Sequence, residues 1–425
     1  MNNVIKVLDV NKVYIARDKY IDILKPFIGK DIIKVITGQR RVGKSHLMLQ
    51  IMDYVKKTNK QSLTSLKQSL PLRGKKANII YINKESYEFD KIKNYHDLIK
   101  YISPLERRGM NYLFIDEVQE IEEFEKAVRS LFLTKKFDIF LTGSNSQMLS
   151  SDIAGRLSGR FIEVRVHPLS YIEFLEFHEL ESNDSSLEKY IKYGGLPYLV
   201  NLELNDDQVY GYLKGVYDTV ILKDIVKRYS IRNINFLNRL IEYLSDNLGS
   251  IVSAKKISDF LKSQNVNLSP NTILNYLTSV TGSYFVNKVP RIDIAGKKIF
   301  EIGEKYYFED LGLKHVISNF KQADINKVLE NLVYTKLIES GYKVYVGQSG
   351  KTEIDFVGES AGKRIYVQVA YIISSEKVKK REFGNLLNIK DNYPKYVVTM
   401  DQMARGNVNG IKHMHILDFL TEKEI

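Results

Sequence analysis

Residues 32–57 constrain the fold of this chain more than any other stretch. An apolar run, IIKVIT (32–37), leads into GQRRVGKS (38–45), and HLMLQIMDYVKK (46–57) then repeats apolar residues at helical spacing. A strand, a tight loop and a helix in that order need glycine at 38 and 43. Only glycine lets the backbone curl until successive N–H groups point into one concavity. The spacing G-x-x-x-x-G-K-S is the phosphate-loop pattern, in the strand–loop–helix context it requires. Gly38, Gln39, Arg40, Arg41, Val42, Gly43, Lys44, Ser45 and His46 are therefore the candidate nucleotide-binding residues, aided by the positive end of the following helix. Lys44 is placed for the β- and γ-phosphates, and the Ser45 hydroxyl for Mg²⁺.

Such a site needs a second half: an apolar strand that ends in acid. YLFIDE (112–117) supplies it, with Asp116 expected to hold Mg²⁺ through water and Glu117 to activate the attacking water. An acid pair after a strand can also be a helix cap, but the phosphate loop upstream favours catalysis. Between the two lies another strand-like run, NIIYIN (78–83). A further one, FDIFLTGSNS (137–146), ends in Thr142, Ser144 and Asn145 at what should be the carboxyl edge of the sheet. Asn145 is the candidate sensor of the γ-phosphate or of water; the alternative is an ordinary helix cap. Arg156 and Arg160 lie on the loop feeding a fifth strand, RLSGRFIEVRV (156–166). Arg160 is the candidate arginine finger, in its own or a neighbouring subunit. The alternative is a surface arginine paired with a local acid.

GQRRVGKS, YLFIDEVQEI, FLTGSNSQML, LSGRFIEV and HPLSYIEFLEF together resemble the prokaryotic AAA-type ATPases that carry a C-terminal restriction-endonuclease-like domain. The resemblance extends to YIKYGGLPYLV (190–200) and VILKDIVKRYSIRN (220–233), and so covers nearly the whole chain. It implies binding and hydrolysis of ATP with Mg²⁺. One departure is a polar insert, residues 56–76, with Lys56, Lys57, Lys60, Lys67, Arg73, Lys75 and Lys76 and no acid. It is either a grip on a phosphate backbone or a solvated surface loop.

Beyond His167 the pattern turns helical. SYIEFLEFHEL and SLEKYIKYGG suit a small lid, and three further amphipathic stretches occupy 234–250, 253–264 and 269–282. SYFVNKVPRIDIAGKKIFEIG (283–303) then reads as a hairpin turning at Gly296. Three helices and a hairpin make the winged-helix order. Ser269 and Pro270 open the third helix. That helix sets Asn271, Thr272 and Asn275 opposite an apolar stripe of Ile273, Leu274, Leu277 and Val280. Residues 251–300 hold seven basic side chains against two acidic ones, a net +5. Lys255, Asn271, Thr272, Asn275, Lys297 and Lys298 are the candidate DNA contacts, the last two on the wing. Winged helices also dock proteins, so an unidentified protein partner stays open.

The remainder, a helix (325–341), a strand (342–347), the hairpin EIDFVGESAGKRIYVQVAY (353–371), a basic helix around Lys377–Arg381 and a strand (393–400), resembles the PD-(D/E)xK nuclease core. The resemblance implies a metal site on Glu330, Asp355 and the residue at 368. Here that residue is Gln368, a neutral amide, and Ala370 stands where a lysine is needed. Glu353 and Asp355 are expected on opposite faces of this strand, unable to serve one metal together. The site is therefore expected to be vestigial.

The totals agree with a soluble chain of several domains: 425 residues, 44% hydrophobic and 27% charged. Net charge is +12, which suits an anionic partner or reflects composition alone. There is no cysteine, which excludes thiol catalysis and Cys-ligated metals. No apolar run approaches the ~20 residues of a membrane span, and no signal peptide opens the chain, so a cytoplasmic location is expected. The expected architecture is α/β. It places a phosphate-loop ATPase core at 1–168, a helical lid at 169–228, a winged helix at 229–312 and a degenerate endonuclease-like domain at 313–425. The expected function is Mg²⁺-dependent ATP hydrolysis coupled to DNA binding or remodelling. The alternatives are a nucleotide-gated protein-docking switch and an ATP-dependent nuclease.

Overall fold

Strands buried on both faces need helices on both sides, and three of the first five apolar runs are buried at every position. The computed structural model describes residues 15–61, 77–149, 155, 157, 159–294, 296, 299, 303–350, 352–402 and 406–425. Its first sheet comprises β1 (Ile33–Thr37), β2 (Asn78–Asn83), β3 (Asn111–Asp116), β4 (Phe137–Gly143) and β5 (Phe161–Arg165). The order is β2-β3-β4-β1-β5, and every neighbouring pair is parallel. β2 and β5, the edges, are only partly buried, as their mixed composition requires.

By its contacts the chain divides into two compact units, Met1–Gly38 with Gly43–Val166, and Gln39–Val42 with His167–Ile425. In the first, α1 (Asp18–Leu24), α2 (Lys44–Gln61), α3 (Tyr95–Ile102) and α4 (Phe124–Leu133) accompany the sheet. Leu98, Ile102 and Val128 pack on Ile82, Leu113, Ile115 and Leu141 as one core. Asn94 and Asp97 form a reciprocal cap on α3. The one charged pair inside this sheet is Lys34 with Asp138, among the described residues fully buried against each other.

The second unit begins with α5 (Tyr171–His178), α6 (Asp184–Tyr193) and α7 (Asp206–Thr219), the last running into a π-helical segment, Val220–Lys227. α8 (Ile234–Asp246), α9 (Ala254–Ser263) and α10 (Pro270–Gly282) follow as the three expected helices. Ser269 accepts the Thr272 N–H and Pro270 fills the first turn of α10. Leu274 departs from the expected buried stripe: it is 48% exposed, while Ile273, Leu277 and Val280 are buried.

The expected hairpin over 283–303 is reorganised. β6 (Val286–Val289) pairs antiparallel with β8 (Lys305–Phe308), whereas β7 (Arg291–Asp293) runs parallel to β9 (Lys343–Ser349). A lone bridge between Ile292 and Ile299 closes the loop around Gly296. β7 thereby becomes the edge of a second sheet built from β9, β10 (Thr352–Ser360), β11 (Lys363–Val369), β12 (Lys395–Thr399), β13 (Gly406–Val408) and β14 (Ile411–His415), in the order β13-β14-β12-β11-β10-β9-β7. α11 (Leu311–Ser318), α12 (Ile325–Glu339), α13 (Glu376–Leu387) and α14 (Ile416–Thr421) complete this unit.

His315 on α11 is buried, with Nδ1 3.2 Å from the Lys192 carbonyl and the Phe320 ring edge-on at 5.2 Å. Burial, reinforced by Lys314, lowers its imidazole to about 4. The folded chain therefore keeps His315 neutral while the unfolded chain takes up a proton below about 6.5. The stability tied to this group is present at neutral pH and is lost as pH falls from 6.5 towards 4. At pH 5 that loss is about 2 kcal/mol. Urea denaturation at pH 7.5 and pH 5 should show a smaller acid-induced loss in His315→Gln than in the wild type.

Candidate functional site

The carboxyl ends of β1, β3 and β4 bring the expected nucleotide residues together in the first unit. Gly38 and Gly43 adopt φ of 142° and 94°, which side-chain-bearing residues avoid. Arg41 holds φ 72° without being glycine, a strained conformation of the kind kept where a loop is over-determined. α2 starts at Lys44. The Lys44 ammonium is buried, donates to the Gly38 carbonyl at 3.1 Å and lies 3.8 Å from Glu117 Oε1.

Asp116 and Glu117 end β3, both buried. Asp116 accepts hydrogen bonds from the hydroxyls of Ser45 and Thr142, and from Tyr81 at 3.3 Å. Burial raises the Asp116 carboxyl, with the Ser45 and Thr142 bonds opposing it. A hydroxyl and a carboxylate already in contact are hard oxygen donors, so Ser45 and Asp116 fit Mg²⁺. Among the described residues no group of three or more His, Cys, Asp or Glu could hold a metal. That also fits an ion that shares its ligands with phosphates and water. Glu117 has φ 53° and ψ 51°, its N–H donating to Thr142 at 2.9 Å. Its Oε2 accepts from Gln119 and, at 3.2 Å, from Ser144.

Asn145 is buried just past β4, beside Ser144. Arg160 is not brought to this edge. β5 runs parallel to β1 with Phe161 opposite Ile33, so Arg160 stands at the amino edge of the sheet. Five strand residues separate it from the phosphate-loop end, about 16 Å. Its guanidinium lies 5.9 Å from the Phe132 ring centre. That position is far from its own subunit's phosphate loop, which leaves the neighbouring-subunit finger and the surface arginine as the two readings. Arg156 lies outside the described residues. Gln119 escaped the sequence reading; a polar side chain two residues after Glu117, in a turn, was its only signal.

Gln39–Val42 group with the second unit, where Arg40 donates through Nε (2.8 Å) and Nη2 (3.1 Å) to Asp224 of the π-helical segment. Asp224 was equally unforeseen, although an acid inside the apolar run VILKDIV was a visible oddity.

The expected vestigial site needs two corrections. Residues two apart on a strand share a face, so Glu353 and Asp355 do not point apart as expected. Both reach the ammonium of Lys305, at 2.9 and 3.9 Å, and Glu330 reaches it at 3.5 Å. An ammonium thus lies beside these carboxylates, from β8 rather than from position 370. Burial alone would lower the Lys305 ammonium, but Glu330, Asp355 and Glu353 together raise it. Burial raises Asp355 well above the carboxylate range; Glu330 adds to this and Lys305 opposes it. Gln368 Oε1 faces the Asp355 N–H at 3.4 Å, and Asp355 Oδ2 accepts from the Val369 N–H at 2.8 Å. The cluster lines a cavity of about 820 Å³ shared with Arg381, Glu382 and Asn385.

Of the candidate DNA contacts, Lys255, Asn271 and Asn275 are exposed on α9 and α10, and Thr272 is half-buried against Ser269. Lys297 and Lys298 lie outside the described residues, as does most of the basic insert, residues 62–76. No helix of the described residues is long and apolar enough to cross a membrane.

Residues 30–175 match the AAA domain family, and residues 184–324 match a domain of unknown function, DUF8612. An uncharacterised protein of Haemophilus influenzae is 35% identical over 420 residues, covering 97% of this chain and 100% of that protein. One from Methanocaldococcus jannaschii is 30% identical over 367 residues, covering 82% and 77%. Among solved structures, the Aeropyrum pernix Orc1 protein in complex with DNA gives a TM-score of 0.33 at 10% identity, covering 72% of this chain and 93% of that one. Cdc6p from Pyrobaculum aerophilum gives 0.31 at 12%, covering 76% and 97%.

Proposed function

The chain belongs to the AAA-domain family represented by these Haemophilus and Methanocaldococcus proteins, and from that premise we propose that it hydrolyses ATP with Mg²⁺ and couples turnover to DNA. The observation that carries hydrolysis is the convergence of Lys44, Ser45, Asp116 and Glu117 at one sheet edge. In this reading the loop N–H groups and Lys44 bind the β- and γ-phosphates, while Ser45 and Asp116 hold the ion. Mg²⁺, when bound, neutralises charge on the phosphate oxygens. Glu117 takes a proton from water as the water oxygen attacks the γ-phosphorus and ADP leaves. Asn145 is assigned to sensing the γ-phosphate. Arg160 is assigned to a neighbouring subunit's nucleotide.

The DNA half rests on the exposed polar face of α10, Asn271 and Asn275, beside Lys255. The test is steady-state ATP hydrolysis with and without duplex and single-stranded DNA. Stimulation that Asn271→Ala/Asn275→Ala/Lys255→Ala reduces supports the coupling. Turnover indifferent to DNA moves the reading to the protein-docking switch, for which exposed Phe260 and Leu274 on the same helices are the natural surface.

Lys305 favours a second reading, in which the C-terminal cavity cleaves phosphodiesters rather than being vestigial. Two carboxylates and an ammonium in contact are the groups such chemistry uses. Scoring the same reactions for cut DNA, with Asp355→Asn as the blank, decides it.

A further inference from the structure

We propose that Gln119 and Ser144 are positioning residues that set the Glu117 carboxylate for catalysis; the proposal rests on the hydrolysis reading above, in which Glu117 is the base. Both side chains bind the same oxygen. Gln119 Nε2 and Ser144 Oγ converge on Glu117 Oε2, and Gln119 Nε2 also lies 3.5 Å from Ser144 Oγ, so the three groups close on one another. The other oxygen, Oε1, is turned towards Lys44, 3.8 Å away. One oxygen is held and the other faces the residue that marks the phosphates. A glutamate side chain has several soft torsions, and a base acts only when one lone pair meets the water in the right direction.

Two further observations point the same way. The Gln119 carbonyl oxygen is buried without a hydrogen-bond partner. Turning the amide over would set that oxygen against the carboxylate, so Glu117, not the carbonyl's surroundings, dictates the orientation of Gln119. A Cβ at Gly143 would run into Met148 Sδ first, and then meet the same Gln119 oxygen at 2.6 Å, so the glycine leaves room for both side chains. The backbone of Glu117 is also fixed, in a left-handed conformation that Thr142 secures through the Glu117 N–H. With backbone and one oxygen both restrained, the free variable left to the base is small.

The experiment compares Gln119→Leu, Ser144→Ala and their combination with the wild type, all as the full chain, with Glu117→Gln as reference. Single-turnover ATP hydrolysis, affinity for a fluorescent ATP analogue and melting temperature are read in parallel. The expected result is a fall in hydrolysis rate of about tenfold in each single variant. The double variant should fall further, with nucleotide affinity and melting temperature unchanged. Wild-type rates in both single variants overturn the proposal. So does a loss of rate matched by a loss of affinity or of melting temperature, which is the signature of a merely structural contact. A Glu117→Gln chain that still hydrolyses ATP at the wild-type rate removes the premise instead, and is recognisable because it fails before Gln119 is tested.

Discussion

Glu117→Gln is expected to lower ATP turnover at least about a hundredfold while leaving nucleotide affinity within a few-fold of the wild type. The amide keeps the size of the side chain and can still meet Ser144, but it cannot accept the proton of the attacking water. Lys44 and the loop N–H groups, which hold the phosphates, are untouched, so binding should persist. Lys44→Ala should behave differently, with affinity and turnover falling together, because in the proposed reading its ammonium, now on the Gly38 carbonyl, binds the phosphates. Nucleotide titration and single-turnover hydrolysis on the two variants separate these outcomes. Equal turnover in Glu117→Gln and wild type sinks the assignment of the base.

Lys305→Met is expected to destabilise the second unit by about 3–5 kcal/mol, the cost of leaving buried charge without its partner. The side chain is almost fully buried, and removing its ammonium leaves Glu330, Glu353 and Asp355 facing one another. The pH dependence fixes the mechanism. Burial already raises the Glu330 and Asp355 carboxyls, which would bind protons still more readily without the ammonium, so the variant's deficit should grow as pH rises above the ordinary carboxylate range and shrink in acid. Asp355→Asn on top of Lys305→Met should restore part of the loss, because one of the three crowded carboxyls is gone. Denaturant unfolding of the single and double variants at pH 5 and pH 8 makes the comparison. A Lys305→Met chain as stable as wild type at pH 8 shows that the cluster carries little of the fold's stability.

The nucleotide site was legible because its information is local. The glycines, Lys44 and Ser45 sit within eight residues, and Asp116 and Glu117 are adjacent, so strand periodicity alone delivers them to one sheet edge. The place of Arg160 was not legible for the converse reason: which edge a loop residue reaches depends on strand direction, and the parallel pairing of β5 with β1 sets it at the amino edge. The C-terminal cluster shows the limit most clearly. Position 370 was the only place a sequence motif could look for a lysine, whereas Lys305 arrives from a strand some fifty residues upstream. A lysine within the fully buried run KYYF was the one hint of it. Glu353 and Asp355, two apart on β10, share a face under the strand's period of two, and the expectation that set them apart ran against that period. Leu274 has an apolar helix position and yet is exposed, a choice made by its neighbours rather than by its own helix.

The three-residue strand Arg291–Asp293 does more than turn a loop. It shields the backbone edge of Lys343–Ser349, with Arg291 reaching Gln348 at 2.6 Å. A sheet margin without such a cover is a template for another chain. A cut at residue 313 would separate this strand from the sheet whose edge it covers. A gene fragment that began there would encode an open sheet inclined to self-association.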